Sequence, residues 1–263
     1  MSSSLALCDI GNTSLKIGFA DSGGRIASYA FPTQPGSTAD SLGFTLLQAA
    51  IQAGIEPSDV EAVATASVVP ALNPVLKAAA RTYFQCPALF APEDLPIPLE
   101  NRYDRPAEVG ADRLVGAFAA RRAFPDARGL IVVDFGTALT FDCVSGDTYL
   151  GGLIFPGPAT AAAGLASRTA RLPHVSLELV VGEPVMGRDT ATSIRHGLIF
   201  GFLEVTAGLC ERLKNQLPRP VLVVGTGAVA SLFDAMGKIF DVVLPGLLLD
   251  GLLDLYRLRA ANK

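Results

Sequence analysis

Leu5-Ala6-Leu7-Cys8-Asp9-Ile10-Gly11-Asn12-Thr13 is an apolar run that ends in an acid, a glycine and a threonine, and Leu130-Ile131-Val132-Val133-Asp134-Phe135-Gly136-Thr137 repeats that order. Each run reads as a buried strand entering a turn, and each leads into further β-rich sequence, residues 15–19 in one copy and 139–144 in the other. A single copy is most simply a glycine turn capped by its own polar residues. Two copies in the same order make a duplicated strand-turn-strand unit. Glycine lets backbone amides approach a phosphate, the threonine adds a hydroxyl donor, and the acid can hold a divalent cation or its waters. The repeat therefore points to two lobes gripping one nucleotide.

Working outward, the first half reads β-β-β-α-β-α-β. A hairpin over 5–19, a strand near 27–31, a helix over 39–53, a strand over 60–67, a helix over 74–83 and a strand over 88–90 are predicted. The proline-rich stretch 92–106 reads as a hinge, a substrate-facing loop or a plain connector, and 107–124 as a long helix linking the halves. The order then returns, with strands over 130–134, 139–144 and 148–154, helices near 158–166 and 191–216, a strand over 221–224 and helices near 228–237 and 246–259.

The 263 residues can build one large domain or two medium ones, and the duplication favours two. Half of them are apolar and only 17% are charged, which predicts apolar surface covered by a partner subunit, a homodimer. A net charge of −4, with no basic run or aromatic ladder, excludes a nucleic-acid footprint. Cys8, Cys86, Cys143 and Cys210 lie far apart with no Cys-x-x-Cys spacing, so free core thiols and a cytoplasmic protein are expected. No basic region precedes the apolar start, which argues against a signal peptide. Prolines and acids interrupt the apolar stretches 151–166 and 242–255, so no membrane span is expected.

Further segments carry a resemblance: Asp9-Ile10-Gly11-Asn12-Thr13 with Lys16, Ala66-Ser67-Val68-Val69-Pro70, Tyr103, Glu108-Val109-Gly110-Ala111-Asp112-Arg113, Asp134-Phe135-Gly136-Thr137-Ala138, Gly151-Gly152-Leu153-Ile154-Phe155-Pro156-Gly157, Thr169-Ala170-Arg171-Leu172-Pro173 and Gly187-Arg188-Asp189-Thr190. In this order and over nearly the whole length, the chain resembles the type III pantothenate kinases of the acetate and sugar kinase/Hsp70/actin superfamily. The resemblance implies an α/β fold of two ribonuclease H-like (actin-like ATPase) domains, each a mixed sheet flanked by helices, with the nucleotide cleft between them. Residues 1–115 would form the N-terminal lobe with the first phosphate motif, and 116–263 the C-terminal lobe with the second phosphate and adenosine motifs. It implies ATP-dependent phosphorylation of pantothenate to 4′-phosphopantothenate, the first step of coenzyme A synthesis, with Mg²⁺ accompanying ATP and a monovalent cation, potassium or ammonium, at Asp134.

The resemblance also assigns residues, each of which has a plainer reading. Asp9, Ile10, Gly11, Asn12, Thr13, Ser14, Leu15 and Lys16 would bind ATP, with Asp9 orienting Mg²⁺ through water; the same residues make a tight hairpin turn, and Lys16 can be a solvated strand lysine. Asp112 would be the general base, because an alcohol acceptor must lie in line with the γ-phosphate and pass its proton to a nearby group; an acid in the first turn of a helix also complements the helix dipole. Tyr103, Gly110, Ala111, Asp112, Arg113 and Thr190 would contact pantothenate. Arg113 can instead form an interdomain ion pair, Tyr103 cover the core, and Thr190 cap a helix. Thr137 would bind ATP, and Gly225-Thr226-Gly227 is either an adenosine-side turn or an ordinary strand-to-helix turn. His174 and His196 are too far apart for a metal pair or triad. Two other readings stay open: a kinase of this fold with another small acceptor, and a non-catalytic nucleotide-binding relative, which would be expected to have lost the ATP loop or the base.

Overall fold

The computed structural model describes residues 4–169, 172–177 and 182–261, so Ala170 and Arg171 of the Thr169-to-Pro173 motif lie outside the described residues. Contacts divide the chain into two units. Unit 1 comprises the described residues of Met1–Leu99, Arg105–Ala119 and Leu247–Lys263, and unit 2 those of Glu100–Asp104 and Ala120–Gly246.

Unit 1 is built on β1 (Ser4–Ile10), β2 (Ser14–Ala20), β3 (Ile26–Pro32), α1 (Ala39–Ala53), β4 (Val60–Ser67), α2 (Asn73–Ala79) and β5 (Ala88–Phe90). Its sheet has the order β3-β2-β1-β4-β5, the hairpin strands antiparallel and β1, β4 and β5 parallel. Helices cover both faces, which is why β1 is continuously apolar from Leu5 to Cys8 rather than alternating. The pleat sends Ala6, Cys8 and Ile10 into a core with Leu42 and Leu46 of α1 and Leu76 of α2. It sends Leu5 and Leu7 into a second core with Val115 and Phe118 of α3 (Ala111–Ala123) and Leu249 and Leu252 of the last helix. Thr38 and Ser41 close a capping box at the start of α1, and Gly54 ends it at φ 70°.

Unit 2 repeats the order. Its elements are β6 (Glu100–Asn101), β7 (Gly129–Phe135), β8 (Ala138–Ser145), β9 (Thr148–Pro156), α4 (Pro158–Arg168), α5 (Thr190–Lys214), β10 (Val221–Gly227), α6 (Ala230–Gly237) and β11 (Val242–Val243); α7 (Leu247–Ala261) completes the chain. The sheet runs β11-β10-β7-β8-β9-β6, so β9-β8-β7-β10-β11 matches β3-β2-β1-β4-β5 strand for strand, with the short β6 added at the edge. Each unit is thus a mixed sheet flanked by helices, the expected α/β class.

Three differences from the sequence reading have local causes. The helix expected from 107 begins at Ala111, because Pro106–Glu108 forms a separate 3₁₀ turn and Val109 is extended. The helix expected over 74–83 widens after Ala79 into a π turn, Ala80–Phe84, which Gln85 ends in the left-handed region at φ 54°. The chain's last helix belongs with unit 1, rather than with everything after residue 115, because α7 supplies the apolar face that the second side of β1 and β4 needs. Gly251 lets it approach α3: a β-carbon there would lie 2.8 Å from Ala119 and 3.0 Å from Val115.

All four cysteines are free and buried, and burial raises the thiols of Cys8, of Cys86 to about 11 and of Cys210 to about 12. They stay protonated and inert. Among the described residues the buried Thr65 hydroxyl on β4 finds no hydrogen-bond partner. Thr65→Val keeps the shape and removes a buried donor with nothing to bond, so it is expected to raise stability by about 1 kcal/mol in urea unfolding. A destabilised variant would show that the hydroxyl is satisfied.

Candidate active site

In unit 1, β1 delivers Asp9 to its end, opposite Lys16 on β2. Lys16 Nζ lies 3.4 Å from Asp9 Oδ2; the acid's side chain is only 10% exposed and the lysine's 32%. The lysine is thus held against the acid rather than left wholly to solvent, and it offsets the cost of burying a carboxylate. Between the two strands the Gly11 amide donates to the Ser14 carbonyl at 3.0 Å and closes the turn. Ile10 and Leu15 pack into the core, so they can offer a ligand only their backbone, whereas Asn12 and Thr13 are exposed.

The predicted acceptor segment stands in the same unit. Val109 is extended, Gly110 follows, and Asp112 lies in the first turn of α3, where Oδ1 accepts from the Arg113 amide at 2.8 Å. At Gly110 a β-carbon would overlap Asp112 Oδ1 and come within 3.3 Å of Val68, so glycine lets the carboxylate keep this position. The Val68 amide in turn donates to the Ile10 carbonyl at 3.0 Å, tying the end of β4 to the end of β1. Burial holds the Asp112 carboxyl above the ordinary carboxylate value; the Arg113 amide and the charges of Arg113 and Lys16 pull the other way. Lys16 therefore acts electrostatically on both Asp9 and Asp112. Ala111 is buried, and Arg113 is half-buried beside the acid.

In unit 2 the second turn is shorter by one residue: Phe135 pairs with Leu139, whereas Ile10 pairs with Leu15. Gly136 donates to the Ala138 carbonyl at 3.0 Å. Gly157, at the entry to α4, donates to the Thr137 carbonyl at 3.0 Å, and the Thr160 hydroxyl reaches the same oxygen at 2.6 Å. The register of β7 with β10 sets Thr226 opposite Asp134 and Gly227 opposite Phe135. Gly227 has φ +93°, and a β-carbon there would overlap Asp134 Oδ1 and crowd the Phe135 amide and carbonyl at 2.7 Å. Phe240 covers Gly225, and the Thr226 hydroxyl donates to the Leu244 carbonyl at 2.8 Å. The Gly-Thr-Gly order thus has a packing reason at both glycines. Nothing near Gly227 in sequence marks its place beside Asp134; only the register does.

Tyr103, also in unit 2, is held by its amide on Asn101 Oδ1 at 3.0 Å, and its ring lies 3.4 Å from where Gly151 would carry a β-carbon. Thr190 is the first residue of α5, not its cap: Asp189 caps the helix, accepting from the Thr192 amide at 2.8 Å. His196 accepts from the Val185 amide at 3.2 Å and stacks on Phe200, which gives it a local structural task.

Residues 5–212 match the family model of the type III pantothenate kinases. The chain belongs to the type III pantothenate kinase family. A type III pantothenate kinase of Desulfovibrio desulfuricans is 53% identical over 256 residues, covering 97% of each chain. One from Nitratidesulfovibrio vulgaris is 52% identical over 262 residues and covers 100% of each. Among solved structures, a ROK family glucokinase from Streptomyces griseus in complex with glucose and AMPPNP superposes with a TM-score of 0.53 at 16% identity, covering 98% of this chain and 100% of its own. That likeness is one of fold alone.

For this family member the burial of Asp112 has a consequence for stability. A carboxyl whose pKa is raised by folding binds more protons folded than unfolded, so its contribution is full below the unfolded pKa and is lost as pH rises through the folded one. Asp112→Asn is expected to resist urea better than the wild type at neutral pH, with the difference closing as pH falls into the ordinary carboxylate range. A variant less stable at neutral pH would mean that the Arg113 and Lys16 contacts outweigh burial.

Proposed function

We propose that this chain transfers the γ-phosphoryl group of ATP to the terminal hydroxyl of pantothenate, giving 4′-phosphopantothenate and ADP, the first step of coenzyme A synthesis. The observation that carries the reading is the placement of Lys16, paired with Asp9 at the phosphate turn and within electrostatic reach of Asp112. One cation next to both an ATP-binding turn and a half-buried acid suits a reaction in which negative charge is moved while an alcohol loses a proton.

In this reading the amides of Gly11 to Ser14 and the Thr13 hydroxyl meet the phosphates, Lys16 offsets their charge, and Thr137 binds ATP from the second turn. Ile10 and Leu15 contribute main chain only. The acceptor oxygen bonds to the γ-phosphorus as the bond from that phosphorus to the β–γ bridging oxygen breaks, and Asp112 takes the hydroxyl proton. In a loose transition state that proton leaves late, so Asp112 works first by aiming the hydroxyl. Tyr103, Gly110, Ala111, Arg113 and Thr190 contact pantothenate, Arg113 through the bidentate bonding that suits a carboxylate or phosphate. Asp9 suits the waters of Mg²⁺. Asp134 and the Phe135 carbonyl, both beside Gly227, are the oxygen donors a potassium or ammonium ion prefers. Bound there, such cations neutralise phosphate charge.

The protein is further proposed to be a cytoplasmic homodimer. Its four free thiols support the compartment. Leu153, Ile154 and Phe155 on β9, with Val185 and Met186, leave apolar surface exposed on unit 2 that a second copy would cover. Among the described residues no helix is long and apolar enough to cross a membrane.

Purified protein with Mg²⁺ and ATP is expected to phosphorylate pantothenate faster in potassium than in sodium. Asp112→Asn is expected to lower kcat on the order of a hundredfold or more with little change in the KM for ATP. Wild-type protein that binds ATP but leaves pantothenate unchanged would overturn the reading. Sedimentation at micromolar concentration is expected to give twice the chain mass; a stable monomer would remove the dimer.

A further inference from the structure

Thr33 directly follows β3 and holds two carbonyls of the first phosphate turn. Its hydroxyl donates to the Gly11 carbonyl at 2.7 Å and its amide to the Thr13 carbonyl at 2.9 Å. Pro32, the preceding residue and the last of β3, pairs with Ser14 and has no amide to give, so the contact to the turn falls to Thr33.

A peptide group is planar and trans, with its N–H pointing opposite its C=O. Drawing the Gly11 carbonyl towards Thr33 therefore turns the Asn12 amide away from it, and drawing the Thr13 carbonyl does the same for the Ser14 amide. Two donors are aimed by holding the acceptors on the far ends of their peptide planes. The same contacts keep two carbonyl dipoles from facing an incoming phosphate, where they would repel it. Asn12 and Thr13 are exposed, so no burial in a core fixes the turn. In unit 2 a different chain segment does the same with one hydroxyl and one amide, Thr160 and Gly157, on the Thr137 carbonyl.

From these contacts we infer that Thr33 is a positioning residue for phosphate binding: it touches no substrate and sets the orientation of the amides that do. The inference rests on the reading of residues 9–16 as an ATP loop, and it does not depend on which molecule accepts the phosphoryl group.

The test is Thr33→Val, which keeps the branched shape and loses the hydroxyl, beside Thr33→Ser, which keeps the hydroxyl. Binding of MgATP and of AMP is measured by calorimetry, together with the KM values for ATP and pantothenate. Loss of one net hydrogen bond predicts about five- to tenfold weaker MgATP binding in Thr33→Val. AMP affinity and the KM for pantothenate are expected to stay within about twofold, and Thr33→Ser to return MgATP binding towards the wild type. Equal weakening of MgATP and AMP, or no change in either, would overturn the inference. Should Thr33→Val not fold, Thr33→Ala lacks the same hydroxyl and decides by the same pair of affinities. Wild-type protein that binds MgATP without phosphorylating pantothenate would sink the proposed activity and leave this test standing, because it is read from nucleotide affinity.

Discussion

A strand covered on both faces can place polar chemistry only at its ends, and this limits everything around β1. Its residues from Ser4 to Ile10 are all buried, with helices packed on either side of the sheet. Asp9 is consequently the last polar group that the strand can carry, and it is tolerated there because Lys16 lies across the hairpin at 3.4 Å. The turn beyond has to satisfy its own backbone groups: the Gly11 amide is used within it, and the Gly11 and Thr13 carbonyls are taken up by Thr33. The Asn12 and Ser14 amides, on the far sides of those peptide planes, are the donors proposed to meet a phosphate.

The repeat in unit 2 solves the same problem with different parts. Its turn is shorter, its carbonyl is held from the start of α4 rather than from a strand, and its acid lies against a glycine of a neighbouring parallel strand instead of a lysine. The neighbour of each acid differs in kind, cationic in one unit and a bare backbone in the other. That difference matches the separate tasks proposed for them, phosphate and Mg²⁺ at the first, a monovalent cation at the second.

Much of this was legible in the chain. Continuous apolar runs ending in Asp-x-Gly announced central strands and their turns, and the bounds read for α1 and β4, 39–53 and 60–67, match the structure. The family motifs named Asp112 and Gly110, and the fold gives a reason for their pairing, since a glycine lets that carboxylate keep its place. Other features depend on partners distant in sequence. Gly227 meets Asp134 through strand register, and Thr33 reaches Gly11 across 22 positions. Asp189 rather than Thr190 caps α5, a choice between adjacent capping residues that only backbone geometry makes. The two-residue strands β6 and β11 are too short to leave a periodic signal.

The return of α7 to the first sheet gives the molecule an order of assembly. During synthesis the strands of unit 1 emerge first, yet the helix that shields Leu5, Leu7 and the small-residue face of β4 is made last, after all of unit 2. Until the ribosome has passed Leu247, that side of the sheet has α3 against it but lacks the leucines of α7. Unit 2, nearly continuous in sequence, has every strand it needs before then. The half that begins the chain is therefore the half that must wait, and the interval before α7 docks is when the nascent protein is most exposed to chaperones and to mispairing.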